Sequence, residues 1–108
     1  MDPHRLAEIR SIAYHRAVAE KLHKQPELIE VALERLANWE KTGHCALKYI
    51  EQWRHKLSYS LDKLEVFLVA DTESARELRQ STPFAGIIDA RERWRIWRET
   101  LASVNVRQ

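Results

Sequence analysis

Apolar residues recur along this chain at three- and four-residue intervals, the spacing that lines up one face of an α-helix. Leu6, Ile9, Ala13, Ala17, Val18 and Leu22 form the first such stripe. Asp2 suits the cap and Pro3 the first helical position, where a missing N–H costs nothing, so a helix is predicted from Asp2 to about His23. Pro26 restarts the pattern. The segment Glu27 to Lys41 places Ile29, Ala32, Leu33 and Leu36 on one face and Glu27, Glu30 and Glu34 on the other. Acids favour the N-terminal half of a helix, and Gly43 offers a left-handed stop. A third helix is predicted from His44 to Leu57, with Ala46, Ile50, Trp53 and Leu57 as its buried seam.

Tyr59-Ser60 opens a short fourth helix, Leu61 to Ala70, whose Leu61, Leu64, Val66, Phe67 and Leu68 are dense enough that most should be covered. The stretch Val66 to Val69 alternates like a strand but has no partner strand elsewhere. Asp71 or Thr72 caps a fifth helix carrying Ala75 and Leu78. The last helix starts from the capping box Asp89-Ala90-Arg91-Glu92, and Ala90, Trp94, Trp97, Leu101 and Val104 read as its seam. There is no internal repeat. The expectation is an all-α fold, one domain over residues 1–108, built as a compact bundle of five to six helices.

Composition supports that picture. Gly and Pro together number 5 in 108 residues, where average usage would give about 13, so turns are few. The longest uncharged run is nine residues, far short of the roughly 20 apolar residues of a membrane span. Met1-Asp2-Pro3-His4-Arg5 has no apolar signal core. The single Cys45 can form no internal disulfide. A small soluble protein of the cytoplasm is expected, with no membrane contact. The formal charge of +2 is spread evenly, with nine Lys/Arg against eight Asp/Glu in each half. That is not the concentrated basic footprint of a dedicated nucleic-acid binder.

Catalytic and cofactor signals are sparse. His4, His15, His23, His44 and His55 include no pair at helical ligand spacing, and Gly43 and Gly86 are too isolated for a phosphate loop. No metal, no cofactor and no enzymatic activity are expected. One arrangement, Arg10-Ser11-Ile12-Ala13-Tyr14-His15, has the Arg and His separated by four residues as in HEPN ribonucleases, where His performs acid–base work and Arg meets the developing charge. Against this, a spacing of five places Arg10 and His15 off each other's face, and the pattern is cheap in a chain with this many Arg and His. Both read as residues of the solvated side of the first helix. Cys45 beside His44 lacks any sign of an oxyanion site and reads as a small apolar residue near a helix start.

The segment Gln80-Ser81-Thr82-Pro83-Phe84-Ala85-Gly86-Ile87-Ile88 departs most from the rest, being uncharged and apolar between two capped helices. Two readings compete. It plugs the base of its own core, or it presents Phe84 and its neighbours to another protein as an anchor. The helix that follows sets Arg91, Arg95 and Arg98 in one stripe beside Trp94 and Trp97, and Trp and Arg are enriched at interface hot spots. The bland alternative makes the tryptophans core and the arginines a solvated face. A nucleic-acid version of the stripe is diluted by Glu92 and Glu99.

The run Glu77 to Asp89, followed by Arg91-Glu92-Arg93-Trp94, resembles the C-terminal signature LRQxSPFAGVLxxxER of short helical bacterial proteins encoded beside AbiEii-type nucleotidyltransferase toxins. Thr82 stands where that signature has serine, and Ile87-Ile88 where it has Val-Leu. The specific match spans some 15 to 20 of the 108 residues. The resemblance implies a non-catalytic antitoxin of a type II pair, neutralising its cognate toxin by direct contact. On that reading Arg79, Ser81, Pro83, Phe84, Arg91, Trp94 and Arg95 bind the partner, with Phe84 as apolar anchor and Arg79, Arg91 and Arg95 as polar clamps. Homodimerisation stays open. So does binding to operator DNA, for which no helix-turn-helix signal is visible.

Overall fold

The computed structural model describes residues 2–107, with side chains described as far as Val104. Among these residues there are six helices and no strand: α1 (Pro3–Lys24), α2 (Leu28–Thr42), α3 (Leu47–Leu57), α4 (Leu61–Leu68), α5 (Glu73–Arg79) and α6 (Ala90–Arg107). The all-α expectation holds, and no helix is long and apolar enough to cross a membrane.

The ends of the helices follow local chemistry. Asp2 caps α1 by accepting the His4 N–H at 3.1 Å, Ser60 caps α4 through Lys63 and Thr72 caps α5 through Ala75. Asp89 accepts the Glu92 N–H at 2.8 Å to start α6. Each satisfies one of the N–H groups that a helix start leaves without a partner. Gly43 ends α2 at φ 70°, in the left-handed region that disfavours side chains.

One apolar cluster joins the elements: Val18 and Leu22 of α1, Ala32 and Leu36 of α2, Ile50, Trp53 and Leu57 of α3, Leu64 and Leu68 of α4, and Leu78 of α5. α1 is the central strut and packs against both α4 and α6, while α2 leans on α3. The dense fourth helix is covered less than expected. Leu64 and Leu68 are fully buried against α1 and its neighbours, but Val66 is 70% exposed.

The last helix differs from its predicted seam. Of that seam only Val104 is buried; Ile96 and Thr100 face inward with it, whereas Ala90, Trp94 and Leu101 are exposed and Trp97 is half-buried. The buried residues sit four apart, along the ridge that meets α1. α6 has one main neighbour and therefore one narrow covered face, too narrow to enclose two tryptophans.

Candidate functional site

The uncharged segment after α5 turns its large apolar residues into the protein, while Gln80, Ala85 and Gly86 stay exposed. Phe84 is 0% exposed, and its ring meets Trp53 edge-to-face at 5.9 Å. Pro83, Ile87 and Ile88 are buried with it. A loop that enters a core brings backbone carbonyls that need donors. Here long side chains of other helices supply them. The Tyr14 hydroxyl donates to Phe84 O at 2.6 Å, Lys21 Nζ to Ile87 O at 2.8 Å, and Arg35 Nη1 to Pro83 O at 3.2 Å and also to Ala85 O. Gly86 turns the chain at φ 82°, beside the Arg35 guanidinium.

A polar relay pins the start of the segment to α1. The Nδ1–H of His15 donates to the Ser11 carbonyl at 2.8 Å, because a carbonyl can only accept. Nε2 then accepts from the Thr82 hydroxyl at 2.9 Å, whose oxygen in turn accepts the Phe84 N–H at 3.2 Å. His15 is 1% exposed, and burial, with the nearby Arg79 charge adding to it, pushes its pKa down to about 4. The ring is a neutral strut at physiological pH. The expectation that His15 lies on a solvated face is thereby corrected: with Val18, Ala19 and Leu22 it belongs to the inward side of α1.

The seven proposed contact residues divide into two groups. Four belong to the interior. Arg79 is 3% exposed and donates from Nη1 to the carbonyls of Leu68 at 3.2 Å and Ala70 at 2.8 Å, closing the C-terminal end of α4. Ser81 is half-buried and accepts from the Trp53 indole at 3.3 Å. Pro83 and Phe84 form the plug. These four are not free to meet a protein partner, because Arg79, Pro83 and Phe84 are buried and Ser81 is held against Trp53 and Leu78. Phe84 as an exposed anchor is corrected accordingly, and of the two readings of the segment the self-plug is the observed one.

The other three, Arg91, Trp94 and Arg95, stand on the open side of α6. Arg95 is tied within its own helix, to Glu92 at 3.2 Å and Glu99 at 3.0 Å. Glu99 first, and Glu92 with it, holds the Arg95 guanidinium above its ordinary value. Trp94 is 58% exposed, so its reading as ordinary core is also corrected.

Beside Trp94 a groove of about 450 Å³ runs between α1 and α6. Arg10, Tyr14, His15, Arg79, Thr82, Arg93, Trp94 and Trp97 are the residues that give it character, and no carboxylate lines it. The Arg10 guanidinium lies 4.5 Å above the Trp97 ring, a cation–π contact that fixes the wall. The opposite flank of α6 carries a second groove where Arg5, Arg16 and Arg95 are interleaved with Glu20, Asp71, Glu92 and Glu99. Of these two grooves, the first keeps an unbalanced positive charge.

Arg93, Tyr14 and Thr82 line the groove without any role that their sequence positions suggest. The His15, Val18, Ala19, Leu22 spacing did carry a signal for the inward histidine, since it repeats the i, i+3, i+4, i+7 pattern of a buried face. Cys45 is half-buried against the core ahead of α3. Among the described residues no three His, Cys, Asp or Glu side chains gather as a metal site. No protein-family model, no curated protein and no solved structure matches this chain.

Proposed function

We propose that the chain is a non-catalytic protein-binding module that meets its partner with the open side of α6 and the rim of the α1/α6 groove. The antitoxin role implied by the resemblance is its specific form. The contact then falls to Trp94 as apolar anchor and to Arg91, Arg93 and Arg98 as cations, in place of the interior Arg79 and Phe84. A basic helix face of this kind complements the acidic, metal-binding pocket of a nucleotidyltransferase.

The observation that carries the reading is Trp94. It exposes more than half its surface on a helix whose backbone is already satisfied, in a chain that buries Trp53 completely. Arg91, Arg93 and Arg98 have no carboxylate at ion-pair distance among the described residues. Exposed Trp flanked by unpaired Arg is the composition of an interface hot spot. Co-expression with a nucleotidyltransferase encoded beside it tests the role. Growth should be restored by the wild-type chain and lost with Trp94→Ala at unchanged melting temperature; rescue by the folded Trp94→Ala variant would refute the assignment.

A second reading, a HEPN-type ribonuclease, draws on Arg10 and His15 lining the same groove. Both ring nitrogens of His15 are engaged, with Ser11 and Thr82, which weakens its claim as an acid–base group. Growth arrest on expression, relieved by His15→Ala in a folded protein, would favour it over the binding module.

A further inference from the structure

Arg79 raises a question the fold does not answer. Its Nη1 is used by two carbonyls, but Nε and Nη2 are buried and meet no acceptor among the described residues. Burying a guanidinium with orphaned N–H groups is costly, since each loses water and gains nothing in return. The acids whose charge acts on it, Asp71 and Glu8, are paired with Arg5 and Arg76. Burial is the main influence on Arg79 and pushes its pKa down. Arg79 and His15 both line the inner wall of the α1/α6 groove, and the guanidinium disfavours a charge on that ring.

The same groove carries Arg10 and Arg93 at its exposed rim, and Trp94 and Trp97 along one side. Three guanidinium groups without a carboxylate make an anion site, and guanidinium forks suit phosphate oxygens in particular. An exposed indole offers a stacking surface to any planar ring. A volume of about 450 Å³ is in the range that small-molecule ligands fill.

We propose that the α1/α6 groove binds a nucleoside monophosphate, the phosphate facing Arg10, Arg93 and the inner Arg79, and the base stacked on Trp94. This goes beyond the protein-binding role and does not depend on it, because the isolated chain suffices. The rim arginines hold the phosphate, and Arg79, whose Nε and Nη2 are buried, adds its charge from the inner wall. His15 takes no part in chemistry here; it holds the floor through Ser11 and Thr82.

Calorimetric titration of the purified chain with AMP, adenosine and inorganic phosphate decides the matter. AMP should bind saturably, about tenfold more tightly than either fragment. Arg10→Ala and Arg93→Ala, both surface changes, should each weaken AMP by about tenfold and leave adenosine unaffected. Trp94→Ala should weaken AMP and adenosine alike by about tenfold and spare phosphate. Circular dichroism confirms that each variant is folded, so the rim substitutions decide without disturbing Arg79. The proposal is overturned if AMP shows no saturable heat, or if it binds the three variants as tightly as the wild type. Neither result bears on the toxin co-expression experiment, so the two readings fail separately.

Discussion

The segment Gln80–Ile88 and the helix that follows it are neighbours in sequence with opposite fates. The loop carries no charge and is drawn into the core, whereas the first half of α6 leaves a tryptophan in water. The difference lies in the backbone. A helix satisfies its own N–H and C=O groups, so its side chains are free to face any environment. The loop carbonyls of Pro83, Phe84, Ala85 and Ile87 have no such ladder and recruit Arg35, Tyr14 and Lys21 instead. Once those donors close over the segment, its apolar residues are committed to the interior. Surface that remains for recognition therefore belongs to the element with no backbone needs left to meet.

The sharpest way to break this contrast is to delete the plug. Phe84→Ala should cost about 3–5 kcal/mol of stability, as other buried aromatic truncations do, measured by urea unfolding. A loss below about 1 kcal/mol would mean that the ring is not integral to the core. Any loss of partner binding in this variant should follow its unfolding.

The relay beneath the plug gives the next largest effect. His15 titrates near 4 when folded and near 6.5 when unfolded. Between those values the unfolded chain takes up a proton that the folded chain refuses. The stabilising contribution is complete above about pH 6.5 and is lost as pH falls toward 4, a swing of roughly 3 kcal/mol. Unfolding midpoints at pH 7 and pH 4.5 should therefore diverge more in the wild type than in His15→Gln, and equal divergence would place the histidine outside this balance.

A smaller and cleaner effect belongs to Thr82. Thr82→Val keeps the shape but removes the hydroxyl, orphaning His15 Nε2 and the Phe84 N–H, at a cost of about 1–3 kcal/mol. Thr82→Ser keeps the hydroxyl and should stay within about 1 kcal/mol of the wild type. Equal losses in both variants would show that the methyl group matters instead. At the far end, Trp94→Ala should change stability by no more than about 0.5 kcal/mol, since little of it is covered. A melting-temperature drop comparable to that of Phe84→Ala would erase the distinction between the two regions.

Local chemistry made much of the fold readable in advance. Asp2, Thr72, Asp89 and Gly43 act within three or four residues, and the sequence displays such ranges directly. The first three helices follow their apolar stripes closely, except that Ala46 serves as the exposed cap of α3. The seam of α6 was not readable, because its inward face is set by where α1 lies and not by which residues are largest. Trp94 and Trp97 outweigh Ile96 and Thr100 in apolar area, yet the latter pair faces inward. The side chains that grip the plug lie 48 to 70 residues upstream of the carbonyls they hold. No periodicity links such positions. The groove is half legible: the Arg and Trp content of α6 points to recognition, but no local pattern shows that Arg79 turns inward or that Arg93 lines the same groove as Arg10.

The four tryptophans provide the most direct test of where recognition occurs. Trp53 donates its indole N–H beneath the plug, Trp94 and Trp97 line the groove, and Trp39 of α2 packs against the core and is not among the groove's lining residues. Their indole resonances in a two-dimensional NMR spectrum report on separate regions at once. Addition of AMP should move the Trp94 and Trp97 signals and leave those of Trp53 and Trp39 in place. Movement of the Trp53 signal with Trp94 and Trp97 unchanged, or no movement at all, would contradict the account.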